Sequence, residues 1–280
     1  MAAELNPLQN HQQHSTTGYD ERLIDRVKEL FPVTATWPDE AIVENIRYFK
    51  EAAEHMRGYC CNIHPLDPRH TYKAPTERPG EFEVVQCPKA WETGVKEAIA
   101  EANLPKRFLR LKLSDLDGEE VRKLFDYVNG FEALKREGKG LLLAGKVGVG
   151  KTQKIVSLAI ELINRYLTQV KFFTCQQFLD LHKAAMKDGF AKMKLEEDAY
   201  KCELAIIDDI GANRFSEYDQ AAFGSFINER YNEMLPVILS TNLSKADLTE
   251  LVGERVVSRI TEMCERIVLD GPDRRTRRGE

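Results

Sequence analysis

The chain has 280 residues, 42% hydrophobic and 30% charged, with a net charge of −5. That length holds one good-sized domain and a smaller one, and the composition is that of a globular chain rather than a fibrous or disordered one. A negative balance excludes nucleic-acid binding by bulk charge and leaves it to local basic patches. No apolar run approaches a membrane span, and residues 1–20 lack the apolar core of a signal peptide, so the expectation is a cytoplasmic protein with no membrane partner. The cysteines at 60, 61, 87, 175, 202 and 264 read as reduced thiols or metal ligands, not as a disulfide framework.

Taken in order, residues 1–20 are expected to form a disordered leader and 21–103 a small, mostly helical N-terminal domain. Leu23, Ile24, Val27, Leu30 and Phe31 mark a first helix, and Pro32 and Pro38 bracket a break. Ile42, Ile46, Phe49, Ala53 and Met56 recur on one face of a helix over 39–56. That face needs a cover, from the first helix or from a partner protein. Prolines at 65, 68, 75 and 79 then end the periodicity. Here Cys60, Cys61, His64, His70 and Cys87 cluster. Thiolates and imidazoles are the ligands zinc prefers, four of them close a tetrahedral site, and a loop-rich segment gains order from a metal. The expected set is Cys60 or Cys61, His64 or His70, and Cys87, although the usual C-x2-C clasp is absent. Trp91, Val95, Ala98 and Ile99 mark a helix to Ala102, and the Leu104-Pro105 break sets the expected boundary at 103/104.

Residues 104–280 alternate. Lys106 to Leu116 is a lead-in, and 117–137 reads as mostly helix with Gly130 weakening its last turns. Strands are expected at 140–144, 170–174, 204–208, 236–240 and 266–269. Between them come helices at 152–167, 176–187, 216–233, near Lys245 and at 253–263. Strands alternating with helices predict an α/β fold, a parallel five-stranded sheet covered on both faces.

Four stretches of this region carry chemistry. Gly145-Lys146-Val147-Gly148-Val149-Gly150-Lys151-Thr152 reads G-x-x-x-x-G-K-[ST], between a strand and a helix as a P-loop requires. Its glycines let backbone N–H groups turn toward phosphate oxygens, and the following helix adds its positive end. Lys151 can reach the β- and γ-phosphates and the Thr152 hydroxyl can ligate Mg²⁺. Leu204-Ala205-Ile206-Ile207-Asp208-Asp209 has the form of a Walker B strand, with Asp208 to hold Mg²⁺ and Asp209 to polarise the attacking water. Asn242, after Ile238-Leu239-Ser240-Thr241, can orient that water or touch the γ-phosphate. Arg255 and Arg259 lie four apart on one helix face, from which one can reach the γ-phosphate of a neighbouring subunit.

Together, in this order, the four stretches resemble the AAA+ ATPases. The sequences GKVGVGKT, LAIIDDIGA, LSTNLS and GERVVSRITEMC, with the closing Gly271-Pro272-Asp273-Arg274-Arg275, are similar to bacterial helicase loaders of the DnaC and DnaI type and to the related transposition helper IstB. The stretch from Gln86-Cys87-Pro88-Lys89 to Leu104-Pro105-Lys106-Arg107-Phe108 also looks like the hinge ahead of the ATPase domain in DnaI-like loaders. The resemblance implies an ATPase with ATP and Mg²⁺ as cofactors. It implies an N-terminal domain that grips a hexameric replicative helicase, zinc-bound in the DnaI branch, although the adjacent Cys60-Cys61 departs from that branch. It also implies self-association in the ATP form, with Arg259 or Arg255 completing the neighbour's site, and delivery of the helicase to single-stranded DNA. Family members carry DNA-binding elements near the stretch that here holds Lys183, Lys187, Phe190, Lys192 and Lys194, a basic run with an aromatic platform. Asp209 is shorter than the glutamate common in AAA+ proteins, so turnover is expected to be slow. Two other readings stand beside the loader: an IstB-like helper of a transposase, and a nucleotide-switched adaptor with little turnover.

Overall fold

The computed structural model describes residues 21–56, 69 and 71–273. They divide at Val95/Lys96 into two compact units, inside the helix Pro88–Glu101 and ahead of the Leu104-Pro105 break.

In the first unit the helices Glu21–Leu30, Asp39–Glu44 and Ile46–Met56 enclose a core of Ile24, Val27, Phe31, Trp37, Ile42 and Phe49. The single helix expected over 39–56 is broken at Asn45. Its backbone lies at φ −105 and ψ 13, and its side-chain amide donates to the Ala41 carbonyl at 2.9 Å, a local bond that competes with helix continuation. Two strands, β1 (Thr71–Pro75) and β2 (Phe82–Gln86), pair antiparallel where the sequence showed only lost periodicity. The pattern was silent because only Tyr72 and Phe82 turn from this hairpin onto the core. Phe82 meets Phe49 and Trp37 with ring centroids 5.5 and 5.6 Å apart, so the first helix and the hairpin cover the apolar helix face. Cys87 is buried beside Ala90 and Tyr72. Cys60, Cys61, His64 and His70 lie outside the described residues, among which no group of His, Cys, Asp and Glu is placed to hold a metal.

The second unit is built on a five-stranded, wholly parallel sheet of β3 (Gly140–Gly145), β4 (Val170–Thr174), β5 (Leu204–Ile210), β6 (Val237–Thr241) and β7 (Cys264–Leu269), in the order β4-β5-β6-β3-β7. The strands read as near-continuous apolar runs because both faces are buried. Leu142, Phe173, Ile207 and Leu239 turn to the helices Cys175–Ala185, Glu217–Asn232 and Glu254–Met263. Alternate residues such as Leu141, Leu143, Ile206 and Ile238 are equally buried, and helix Lys151–Tyr166 packs on β3 and β6. This is the α/β architecture expected. The helix predicted over 117–137 is two, Glu119–Asn129 and Phe131–Arg136, parted at Gly130. Between β4 and β5 the chain adds a helix, Gly189–Leu195, capped by the Asp188 carboxylate, that the sequence reading did not anticipate. No helix among the described residues is long and apolar enough to cross a membrane.

Candidate nucleotide site

The loop joining β3 to the helix Lys151–Tyr166 can close because Gly148 and Gly150 stand at φ +84 and +94, a region that strains any residue with a Cβ. A Cβ on Gly148 would also run into the carboxylate of Asp273, on the segment that leaves β7. Val149 is buried and pins the loop to the core, while Val147 is exposed. Among the described residues no side chain caps the helix's first turn, and no acid stands in that turn, so its N–H groups and positive dipole end serve the loop. Lys151 is 8% exposed. Its Nζ donates to the carbonyls of Gly145 at 2.7 Å and Lys146 at 3.0 Å, which folds the ammonium back over the loop.

Two strands away, β5 brings its acids to the same place. Asp208 is buried, and its Oδ2 accepts from the Thr152 hydroxyl at 2.7 Å. Its Oδ1 accepts from the Ser240 hydroxyl of the neighbouring strand. Asp209 is exposed and left-handed at φ 61. The resulting cleft, about 430 Å³, is lined by Gly148, Gly150, Lys151, Thr152, Asp208 and Asp209, within the size range of small-molecule sites. Oxygen donors from Thr152 and Asp208 suit a hard divalent cation, and the glycine-lined helix start suits a polyphosphate. The residues present therefore fit a magnesium nucleotide. The acids are felt nearby: burial first, then the charges of Asp209 and Asp219, push the Cys175 thiol up to about 12.

Arg107 and Phe108 also line the cleft, with the guanidinium 4.4 Å from the ring centroid. By sequence they fall in the lead-in from Lys106 to Leu116, where no pattern assigns them a role. The only signal was a basic–aromatic pair ahead of a P-loop strand, and the fold is what carries it across the loop.

The remaining candidates stand elsewhere. Asn242 is exposed just past β6 and is not among the cleft's lining residues. Arg255 is exposed on helix Glu254–Met263, while Arg259 is half-buried with its guanidinium 5.4 Å from the Tyr231 ring centroid. Neither arginine lines the cleft of its own chain. Of the basic run, Lys183 is paired with Asp219 at 2.9 Å. Lys187, Lys192 and Lys194 are exposed beside Phe190, Met186 and Met193, which are 67%, 70% and 49% exposed.

Comparison with known proteins agrees with this geometry. The replicative helicase loader DnaI of Bacillus subtilis (strain 168) is 28% identical over 177 residues, covering 58% of this chain and 56% of that one. The replicative helicase loader DnaC of Escherichia coli (strain K12) is 29% identical over 124 residues, covering 42% of this chain and 49% of that one. The chain thus spans about half the length of the curated relatives it matches. A crystal structure of the DnaC helicase loader superposes with a TM-score of 0.55 at 27% identity, over 59% of this chain and all of that one (100%); the fold is the AAA+ P-loop fold. The model of the IstB-like ATP binding proteins matches residues 113–278, a span that runs from ahead of the P-loop past β7 and takes in more than half of the chain, and the chain belongs to that family.

Proposed function

We propose that the chain hydrolyses ATP and uses the cycle to load a hexameric replicative helicase onto single-stranded DNA. The observation that carries the reading is the meeting of Lys151, Thr152, Asp208 and Asp209 around one cleft, in a chain similar to two helicase loaders. When bound there, magnesium ATP supplies a γ-phosphorus open to attack and a charge-neutralised leaving group. Lys151 and the loop N–H groups hold the phosphates in line, and Thr152 and Asp208 hold the cation. Asp209 takes the proton of the attacking water. Phosphoryl transfer asks the protein mainly for positioning and charge stabilisation. Its short carboxylate keeps turnover slow. Arg107 and Phe108 present a cationic and aromatic face suited to the base. Asn242 orients the water once neighbouring subunits close the site.

Arg255 or Arg259 completes the site of the next subunit in the ATP form. Among the described residues Arg255 has no stacking partner to leave, whereas Arg259 must first leave Tyr231. Single-stranded DNA is assigned to Lys187, Phe190, Lys192 and Lys194, with Lys183 contributing only if Asp219 releases it. Zinc, for which Cys60 or Cys61, His64 or His70, and Cys87 are the candidate ligands, is the remaining part of the proposal. The test is co-purification of the full chain with the cognate hexameric helicase in ATP, with bound zinc measured on the same sample. A chain that leaves the helicase unbound in every nucleotide state would sink the loader reading. The family match to IstB-like proteins supports a second reading, an ATPase serving a transposase. Capture of the transposase in place of the helicase would decide for it. Phosphate release that is absent with and without single-stranded DNA would instead favour an adaptor switched by ATP binding.

A further inference from the structure

Strands β5 and β6 lose register at the end that carries the acids. Ile207 pairs with Leu239 and Ile210 with Thr241, so Asp208 and Asp209 together face Ser240. A bulge of this kind takes a residue out of the ladder and re-aims its side chain. The N–H of Asp209, displaced from the ladder, donates to the Ser240 hydroxyl oxygen at 2.8 Å. That hydroxyl in turn donates a hydrogen bond to Asp208 Oδ1. Ser240 is 0% exposed, so bulk water does not compete for either bond. Asp209 stands at φ 61, a conformation that L side chains seldom adopt and that the surroundings must hold. The other oxygen of Asp208 is bonded to Thr152, itself assigned to the cation. The contact from Ser240 is thus the one that cation binding leaves in place.

We infer that Ser240 is a positioning residue for both carboxylates. One buried hydroxyl orients Asp208 toward the cation and fixes the backbone turn that delivers Asp209 to the cleft. The inference rests on the ATPase reading above, and it concerns a buried residue that does not line the cleft.

The test compares the full chain with Ser240→Ala and with Ser240→Thr, which keeps the hydroxyl. Two readouts are taken: binding of a fluorescent ATP analogue across a Mg²⁺ titration, and steady-state phosphate release. Ser240→Ala should bind nucleotide without metal as the unaltered chain does. It should need roughly 10–100-fold more Mg²⁺ for the metal-dependent tightening and lose kcat by a similar factor, the range seen when an outer partner of a metal ligand is removed. KM at saturating Mg²⁺ should stay within about twofold, since groups that bind the substrate are untouched. Ser240→Thr should recover most of both losses. A Mg²⁺ response and kcat within about twofold of the unaltered chain would overturn the inference. So would loss of metal-free binding together with a lower melting temperature, which marks a packing role. If Ser240→Ala does not fold, Ser240→Cys fills the volume with a poor donor and must show the same pair of losses. Failure of the unaltered chain to bind magnesium ATP at all would overturn the ATPase reading itself, and this inference with it.

Discussion

At the scale of single residues, the site depends on charges held in place by the backbone. The Lys151 ammonium is folded over carbonyls of its own loop. Lys151→Ala should therefore weaken ATP binding by roughly 10–100-fold, the worth of a charge-assisted contact, as read by fluorescent-nucleotide titration. Retained affinity would mean that the phosphates bind elsewhere. Asp209→Asn tests a different step. Binding should be unchanged while phosphate release falls by about 10²–10⁴, the usual contribution of a positioned base. Asp209 was legible as a candidate from its place after an apolar run, but its left-handed backbone was not. Nothing local to Ile207-Asp208-Asp209-Ile210 announces a bulge, because the bulge is a relation to Ser240 thirty-one residues away in sequence.

At the scale of elements, Arg230 and Tyr218 tie helix Glu217–Asn232 to its neighbours by polar contacts, the first buried and the second part-buried. Arg230 is 0% exposed and donates to the carbonyls of Cys202 at 2.8 Å, Ala199 at 3.1 Å and Pro236 at 2.6 Å, so it closes the chain ends around β5 and β6. Arg230→Ala should lower the unfolding free energy by about 3 kcal/mol or more, through a cavity plus stranded carbonyls. Denaturant melts would show it, and a loss under 1 kcal/mol would contradict the assignment. His182, on helix Cys175–Ala185, has its Nδ1 2.6 Å from the Tyr218 hydroxyl. Burial holds the imidazole below its ordinary value of 6.5. The unfolded chain therefore takes up this proton at a higher pH than the folded one. Stability should drop as pH falls from 6.5 to the lowered folded value and then level off. His182→Asn should flatten that part of the melting curve against pH; an unchanged slope would show that another group titrates.

At the scale of the whole molecule, completion of the site by a second copy remains the central expectation. Both arginines of Gly253-Glu254-Arg255-Val256-Val257-Ser258-Arg259 lie off the chain's own cleft, on a helix whose opposite face, through Val256, Val257 and Ile260, is buried. Arg255→Ala should leave nucleotide binding by the isolated chain intact and reduce turnover of the assembled form by about 10³ or more, the range of arginine fingers. Arg259→Ala should cost less, because its side chain is stacked on Tyr231. A variant of Arg255 that fails to bind nucleotide as a monomer would place it in the chain's own site instead.

Much of the second unit was legible in the primary structure. Its strands are unbroken apolar runs and its P-loop is a contiguous string, so local periodicity and spacing suffice to place them. The strand order, the bulge that sets both acids against Ser240, and the arrival of Arg107 and Phe108 at the cleft are relations between segments far apart in the chain. No local pattern encodes them; only packing both faces of one sheet brings them together. The β1–β2 hairpin was hidden for the same reason. Its side chains gain a core only once Trp37, Phe49 and Phe82 have met. Sequence alone determined which groups are candidates to grip a phosphate and its metal, while the tertiary structure decided which buried hydroxyl holds the acid and which aromatic ring stands beside the cleft, because those contacts exist only once distant segments have packed.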